Sequence, residues 1–221
     1  MTTFPRSPRV LKGGLVLVDP ESGKLLRVIV LQYNPDTVTR TLQILGATGE
    51  AGDRSEAMRL KGPPVETIKL EAEIDATDQL EFPDDNRSVA RNGIHGQLAA
   101  LETIVYPTPG QLRDADRLAL AGTIEITPAE TPLTVFVWSR HRVMPVRITE
   151  LSVTEEAFDP SLNPMRAKVS LTLRVLSSND LPPDHRGASL FAAYHQNKQS
   201  LATALRSGPL STLGISSGEL P

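Results

Sequence analysis

The residues that could carry out chemistry in this chain are a serine motif and four histidines. Residues 214–218, Gly-Ile-Ser-Ser-Gly, match the G-x-S-x-G pattern of serine hydrolases. In those enzymes the serine lies on a tight turn between a strand and a helix, whereas this segment lies in a Gly-, Ser- and Pro-rich stretch, so we expect a tail. No two of the histidines are three or four residues apart, so none forms a helical metal pair, and we expect solvated side chains. These are His95, His141, His185 and His195.

Other patterns for cofactor or metal binding are also incomplete. The acidic cluster lacks the one-three-five spacing and the glycine of a calcium loop, so it indicates a solvated or partner-facing surface. Its members are Asp75, Asp78, Glu81, Asp84 and Asp85. Gly13-Gly14 lies inside a strand-like stretch, which favours a bulge or a close backbone approach over a phosphate loop. We therefore predict no catalytic residue, no cofactor, no metal site and no enzymatic activity.

The composition excludes several classes of function. The chain has 221 residues, no cysteine, a formal charge of −3 and 39% apolar residues. Disulfides, thiolate metal sites and cysteine nucleophiles are excluded. Scarce aromatic residues, at 4%, and the lack of a basic stripe count against nucleic-acid and sugar binding. Apolar runs are too short to span a bilayer, and the start lacks a secretory signal, so we expect assembly in the cytoplasm without membrane insertion.

One strand has an unusually clear pattern. After the break at Gly62-Pro63-Pro64, apolar and charged residues alternate strictly. Ile68, Leu70, Ala72 and Ile74 share one side, and Lys69, Glu71, Glu73 and Asp75 share the other. A period of two predicts an antiparallel strand with one buried face and one wet, strongly acidic face.

The remaining pattern predicts about eight strands, one central helix and one C-terminal helix. The predicted strands lie at 11–18 and 25–32 as a hairpin, then at 37–45, 68–75, 122–126, 133–138, 143–158 and 166–176. A change of parity predicts a bulge near Glu150. The predicted helices lie at 94–106 and 188–205, and residues 46–60 and 111–121 are predicted as loops.

Four segments, in order, resemble the tube-type proteins of contractile injection systems, which are phage-tail-like particles. They are Val30–Arg40; Lys61–Ile68 with Glu73–Asp78; Leu98–Pro107; and Pro145–Ala157 with Asp159–Pro164. Together they span roughly residues 10–176. The resemblance is strongest to the tube adaptor, or tube initiator, of the baseplate. One departure is that no LysM-type module follows Ser177.

The resemblance implies a mainly β (α+β) fold, an antiparallel β-barrel or two-sheet tube fold with one packed helix and a C-terminal helix. Residues 1–176 would form the tube-like domain, and residues 177–221 a helical extension and tail. It also implies a structural ring of six copies that joins the spike and baseplate hub to the inner tube protein and initiates the tube. The particle either stays in the cell or is released.

Two groups of residues are candidates for a role in assembly. The expected interface residues are Glu66, Lys69, Glu71, Glu73, Asp75, Asp78, Arg54 and Arg59, and the expected buried corner is Gln32, Tyr33, Asn34 and Pro35. Two alternatives stay open at this point. The chain is either the main inner-tube subunit or a β-rich module that binds a small ligand or glycan.

Overall fold

The computed structural model describes residues 10–46, 59–120, 131–205 and 208–216. Its strands are β1 (Gly14–Val18), β2 (Leu25–Val30), β3 (Val38–Gln43), β4 (Val65–Asp75), β5 (Leu133–Ser139), β6 (Arg142–Phe158) and β7 (Pro164–Val175). They pair in one antiparallel sheet in the order β2-β1-β5-β6-β7-β4-β3. The predicted mainly β fold is confirmed.

Among the described residues, four helices lie in the one connection between β4 and β5, and a fifth follows β7. They are α1 (Thr77–Leu80), α2 (Arg87–Asn92), α3 (His95–Glu102), α4 (Pro109–Leu120) and α5 (Arg186–Ala204), followed by a 3₁₀ turn at Leu210–Leu213. The predicted central and C-terminal helices correspond to α3 and α5. Among the described residues, no helix is both long and apolar enough to cross a membrane.

The core lies between one face of the sheet and the helices. The alternation predicted for β4 is confirmed, because Ile68, Leu70, Ala72 and Ile74 are buried. Val169, Leu171 and Leu173 of β7 are buried with them. Leu98 and Leu101 of α3 and Tyr194 of α5 join the same apolar cluster. The opposite face of β4 and β7 carries no helix residue in that cluster and is polar.

The sheet is strongly curled but remains open. Strands β2 and β4 are separated by four other strands, which is about 24 Å across a flat sheet. Gln32, just after β2, nevertheless donates from Nε2 to the carbonyl of Asp75 at 2.7 Å and accepts from the Asp75 N–H at 3.0 Å. Described strands β2 and β3 do not pair with each other. The predicted barrel is therefore wrong for a single chain, because its two edges stay apart.

The predicted irregularity in β6 is confirmed. The register with β7 shifts between Ile148 and Glu150, which leaves Thr149 as the extra residue. Its Oγ1 donates to the Thr172 carbonyl at 3.1 Å. The bulge lets Ile148 and Leu151 both face the core, where they pack as half-buried side chains.

The prediction of a loop from Gln111 onward is wrong, because α4 begins at Pro109. Thr108 and Gln111 form a capping box: the Gln111 N–H donates to Thr108 Oγ1 at 3.3 Å, and the Thr108 N–H donates to Gln111 Oε1 at 2.8 Å. Proline is favoured at the first position of a helix, and Pro109 occupies that position in α4, directly after the capping residue Thr108. The short helices α1 and α2 were also missed.

Three other predictions concern the glycines and the uncertain segments. A Cβ on Gly14 would collide with the Ile29 carbonyl oxygen, so the expected close backbone approach is confirmed. The predicted strand at 122–126 lies outside the described residues. Most of the predicted loop 46–60 and the end of the serine motif also lie outside them.

Candidate assembly surfaces

The first candidate surface is the exposed side of β4, β7 and β6, called here the polar face. On β4 it carries Lys69, Glu71 and Glu73, all exposed, and half-buried Asp75, as predicted. On β7 the same side carries Arg166, Lys168, Ser170, Thr172 and Arg174. The register places Glu156, Arg166 and Asp75 in one row across the three strands.

Cross-strand ion pairs offset part of the acidic charge of this face. Arg166 Nε lies 2.8 Å from Asp75 Oδ2 and 3.7 Å from Glu73 Oε1, and Lys168 Nζ lies 3.5 Å from Glu156 Oε1. The prediction of a strongly acidic face is therefore wrong for the sheet, although it is right for β4 alone. Sequence alternation gives the charges of each strand, whereas the pairing of β4 with β7 decides what the combined surface carries.

Hydrogen bonds keep Asp75 ionised at the end of this face. Its partial burial disfavours the charged form, but hydrogen bonds from Thr77 and Arg166 outweigh that effect and lower the pKa of Asp75. The Asp75 carboxylate accepts from the Thr77 N–H at 2.8 Å while its backbone bonds Gln32. Asp75 thus joins the polar face to the corner that follows β2.

Glu66 requires a correction, because it does not lie on the polar face. It has the parity of Ile68 and is 3% exposed. Its carboxylate accepts from the Tyr194 hydroxyl at 2.9 Å and from Lys198 Nζ at 2.8 Å, and Arg40 Nη1 lies 3.4 Å away. Lys198 also lies over the Tyr194 ring. Glu66 therefore anchors α5 to the sheet, inside the chain.

The predicted corner also differs from expectation, because it is partly exposed. Tyr33 is 42% exposed, and its hydroxyl donates to Asp78 at 3.1 Å. Asn34 accepts from the Gly13 N–H at 2.9 Å and donates to the Leu11 carbonyl at 2.8 Å, while Pro35 is half-buried. The polar side chains here take the place of the backbone pairing that a continuous sheet would supply.

The second candidate surface consists of unpaired strand edges. β2 lies at one edge of the sheet, and Leu25, Leu26, Val28 and Val30 are all about half exposed. β3 lies at the other edge. β5 pairs with β6 only as far as Val146, so residues 147–158 of β6 have β7 on one side and no described strand on the other.

The remaining predicted interface residues lie in different places. Asp78 is exposed in α1, and Arg59 is exposed just before β4. Arg54 lies outside the described residues. In the part of the chain that the structure describes, no three His, Asp or Glu side chains group together as a metal would require.

The comparison that decides the family is with a family model. Residues 18–181, about three quarters of the chain, match the model described as contractile injection system tube protein. The chain belongs to this family. A tube protein is a structural component, which agrees with a fold whose conspicuous features are edges and faces.

Other comparisons add little about the tube protein. A solved structure described as the tail of an empty GTA particle, computed with helical refinement and C6 symmetry, matches with 11% identity and a TM-score of 0.30. The match covers 74% of this chain and 90% of that one. No curated protein matches the sequence.

Proposed function

We propose that this tube protein builds a closed ring of identical copies in the tube of a contractile injection system, and that ring closure completes its open sheet. The observation behind this proposal is that β3 and the far half of β6 are the two edges of the same four-stranded, polar-faced unit, β6-β7-β4-β3. Unpaired strand edges are a hazard in a monomer and become joints when a neighbour pairs with them.

Along a strand, the N–H and C=O groups of successive residues point alternately toward the two neighbouring strands, and this shows which backbone groups are free at an edge. Asp75 turns its N–H and C=O away from β7, toward Gln32. Carried across the registered pairs, this alternation points the backbone groups of Val38, Arg40 and Leu42 out of the β3 edge, and those of Leu151, Val153 and Glu155 out of the β6 edge. Pairing one edge with the other is a head-to-tail contact, which closes into a ring if the rotation allows.

The finer role that we propose is the adaptor ring, between the spike and baseplate hub and the inner tube, with six copies per ring. The four-segment sequence resemblance supports it. The second candidate is the main inner-tube subunit. Polymerisation of the purified chain into long tubes would favour this second candidate over an adaptor that stops at one ring.

Proline substitution tests which edges close the ring. Leu42→Pro and Glu155→Pro each remove an outward N–H without breaking a ladder inside the chain, and proline is tolerated on edge strands. We expect both variants to stay folded by circular dichroism but to lose ring formation in negative-stain images. Val28→Pro makes the same change on the β2 edge and is the matched control, which should still form rings. Rings from Leu42→Pro and Glu155→Pro would contradict closure through these edges.

A further inference from the structure

A groove follows the free edge of β6 on the core side of the sheet. It has a volume of about 470 Å³ and lies between β6 and the segment after α3. Its β6 wall consists of half-buried Ile148, Leu151 and Val153. Val105 and Tyr106, which follow α3, also line it and are 43% and 65% exposed. An apolar groove that opens at an unpaired strand edge is suited to the edge of another sheet.

The β3 edge exposes apolar side chains on the same side of the sheet. Leu42 is 46% exposed, and Ile44, just after β3, is 72% exposed. Arg40 pairs with Ile68, and Leu42 pairs with Glu66, whose side chains both face the core side of β4. Residues directly opposite each other in a ladder have side chains on the same face. Leu42 and Ile44 therefore face the core side, as the groove does.

Pairing β3 of one copy with β6 of another continues both faces of the sheet. The two strands run in opposite directions, because three antiparallel pairings separate them. On β3, Arg40 and Leu42 combine outward backbone groups with core-facing side chains, and Leu151 and Val153 do so on β6. Outward groups bond to outward groups. Core-facing side chains of the two copies therefore lie side by side, and the polar faces join as well.

We propose that Leu42 of one copy lies opposite Val153 of the next copy, and that Leu42 and Ile44 fill the groove there. This inference rests on the proposed ring and names the residues that set its register. The other opposed pairs of this register are Ile44 with Leu151 and Arg40 with Glu155. Apolar side chains thus meet apolar side chains, and a cation meets a carboxylate.

Charge favours this register over its neighbours. Glu155 is exposed, and no described cation lies within salt-bridge distance of it. The Arg40 side chain is 32% exposed, and its Nη1 lies 3.4 Å from Glu66 Oε1. A guanidinium has five N–H donors, so Arg40 can bind a second carboxylate. A shift of two residues would place Arg40 opposite uncharged Val153 or Ala157.

The strand tilt that follows from this register agrees with a closed barrel. Within one chain, Val153 lies in the same row as Ala72, and the β3 register continues that row to Asp36. Leu42 lies six residues beyond Asp36, so each copy of four strands displaces the row by that amount. At about 3.3 Å per residue and about 4.8 Å between strands, the strands tilt by about 45°. Closed barrels have tilts of roughly 35–45°, whereas a shift toward Glu155 would require about 54°.

Disulfide trapping measures the register directly, because the chain contains no cysteine. Opposed residues of a hydrogen-bonded antiparallel pair have Cα atoms about 5.5 Å apart, which suits a disulfide. Leu42→Cys/Val153→Cys is the test variant. Leu42→Cys/Leu151→Cys and Leu42→Cys/Glu155→Cys are matched controls for the two shifted registers. Three strand spacings, about 14 Å, separate β3 from β6 within one chain, so each disulfide can form only between copies.

We expect the test variant to form a ladder of up to six chain masses on non-reducing gels, at least about tenfold faster than either control. Faster trapping of a control, or rings in negative stain without any ladder, would overturn the register and leave the proposed ring standing. Wild-type protein without rings, together with no ladder in any variant, would overturn both.

Serine substitution tests whether the apolar side chains fill the groove. Leu42→Ser and Ile44→Ser should each raise the protein concentration needed for half-maximal ring formation by at least about tenfold, because apolar burial between copies is lost. Leu26→Ser on β2 is the matched control, since Leu26 is 48% exposed and lies outside the proposed contact. It should assemble as wild type does. Equal effects of Leu42→Ser and Leu26→Ser would overturn the inference.

Discussion

At the scale of single residues, side chains replace backbone pairing where the sheet is incomplete. The amide of Gln32 takes the place of a peptide group against Asp75, and Asn34 does the same for Leu11 and Gly13. Glu66 binds Tyr194 and Lys198 of α5 from the core side of β4. Each contact joins parts of the chain that are distant in sequence.

Replacement of Gln32 tests how strongly the corner holds the curled sheet. Gln32→Ala removes both bonds to the Asp75 backbone and leaves a donor and an acceptor unpaired. We expect the free energy of unfolding in urea to fall by about 1–3 kcal/mol. Gln43→Ala, on the exposed end of β3, changes the same residue type and should stay within about 0.5 kcal/mol of wild type. Equal effects in the two variants would contradict a role for Gln32 in closing the gap.

The anchor of α5 is tested by removing one hydroxyl. Tyr194→Phe keeps the ring in the core but withdraws the hydrogen bond to buried Glu66, so we expect a loss of about 1–2 kcal/mol in urea unfolding. Tyr106→Phe, at an exposed tyrosine, is the control. In a double-mutant cycle with Glu66→Gln, a coupling energy near zero would show that the hydroxyl and the carboxylate act independently.

The sequence was informative at this scale only in part. Glu66 lies two residues before Ile68, so strand alternation already predicts that it shares the buried side. Its partners Tyr194 and Lys198 lie far along the chain, and no periodicity in β4 points to them. For the same reason Arg166 and Lys168 could not be assigned to Glu73 and Glu156 before the strand order was known.

At the scale of elements, local patterns predicted the strands with one buried side well, because alternation reports burial directly. β4, β7 and the bulge in β6 are examples. Helix α4 was missed because residues 111–121 were predicted as a loop, although Thr108 and Gln111 carried a start signal. In the predicted helix 188–205, the apolar residues Leu201 and Leu205 lie four positions apart, yet both are exposed. An amphipathic pattern alone does not show which surface covers it.

The turn between β6 and β7 gives a prediction for pH. Asp159 accepts hydrogen bonds from the side chain and N–H of Asn163 and from the Ser161 N–H, and these bonds lower its pKa. The folded state thus favours the carboxylate, so this contribution to stability is present above the unfolded pKa of about 3.9 and is lost as pH falls through the lower folded value.

The corresponding measurement compares wild type with Asp159→Asn across pH. Asp159→Asn should be less stable in urea at pH 7, and the difference should shrink as the pH falls below about 4. Asp116→Asn, on exposed α4, is the control for the same chemical change and should match wild type at pH 7. A difference for Asp159→Asn that is unchanged at acid pH would show that its carboxylate charge does not stabilise the turn.

At the scale of the whole molecule, the open sheet leaves strand edges that the described part of one chain does not pair. The sequence predicted strands and a family, but a closed barrel was expected where one chain leaves two edges apart. The periodicity within a strand does not show which strands lie at the edges of a sheet. The edges at β3 and at residues 147–158 of β6 could therefore be identified only from the strand order. In the proposed ring, completion of the sheet therefore falls to neighbouring copies.

The most direct test of that claim is the mass of the purified chain over a range of concentrations, by native mass spectrometry, together with images of the same sample. We predict a closed ring of six chain masses, which disappears in the Leu42→Pro and Glu155→Pro variants. A single chain mass at every concentration, with no rings in the images, would contradict the account.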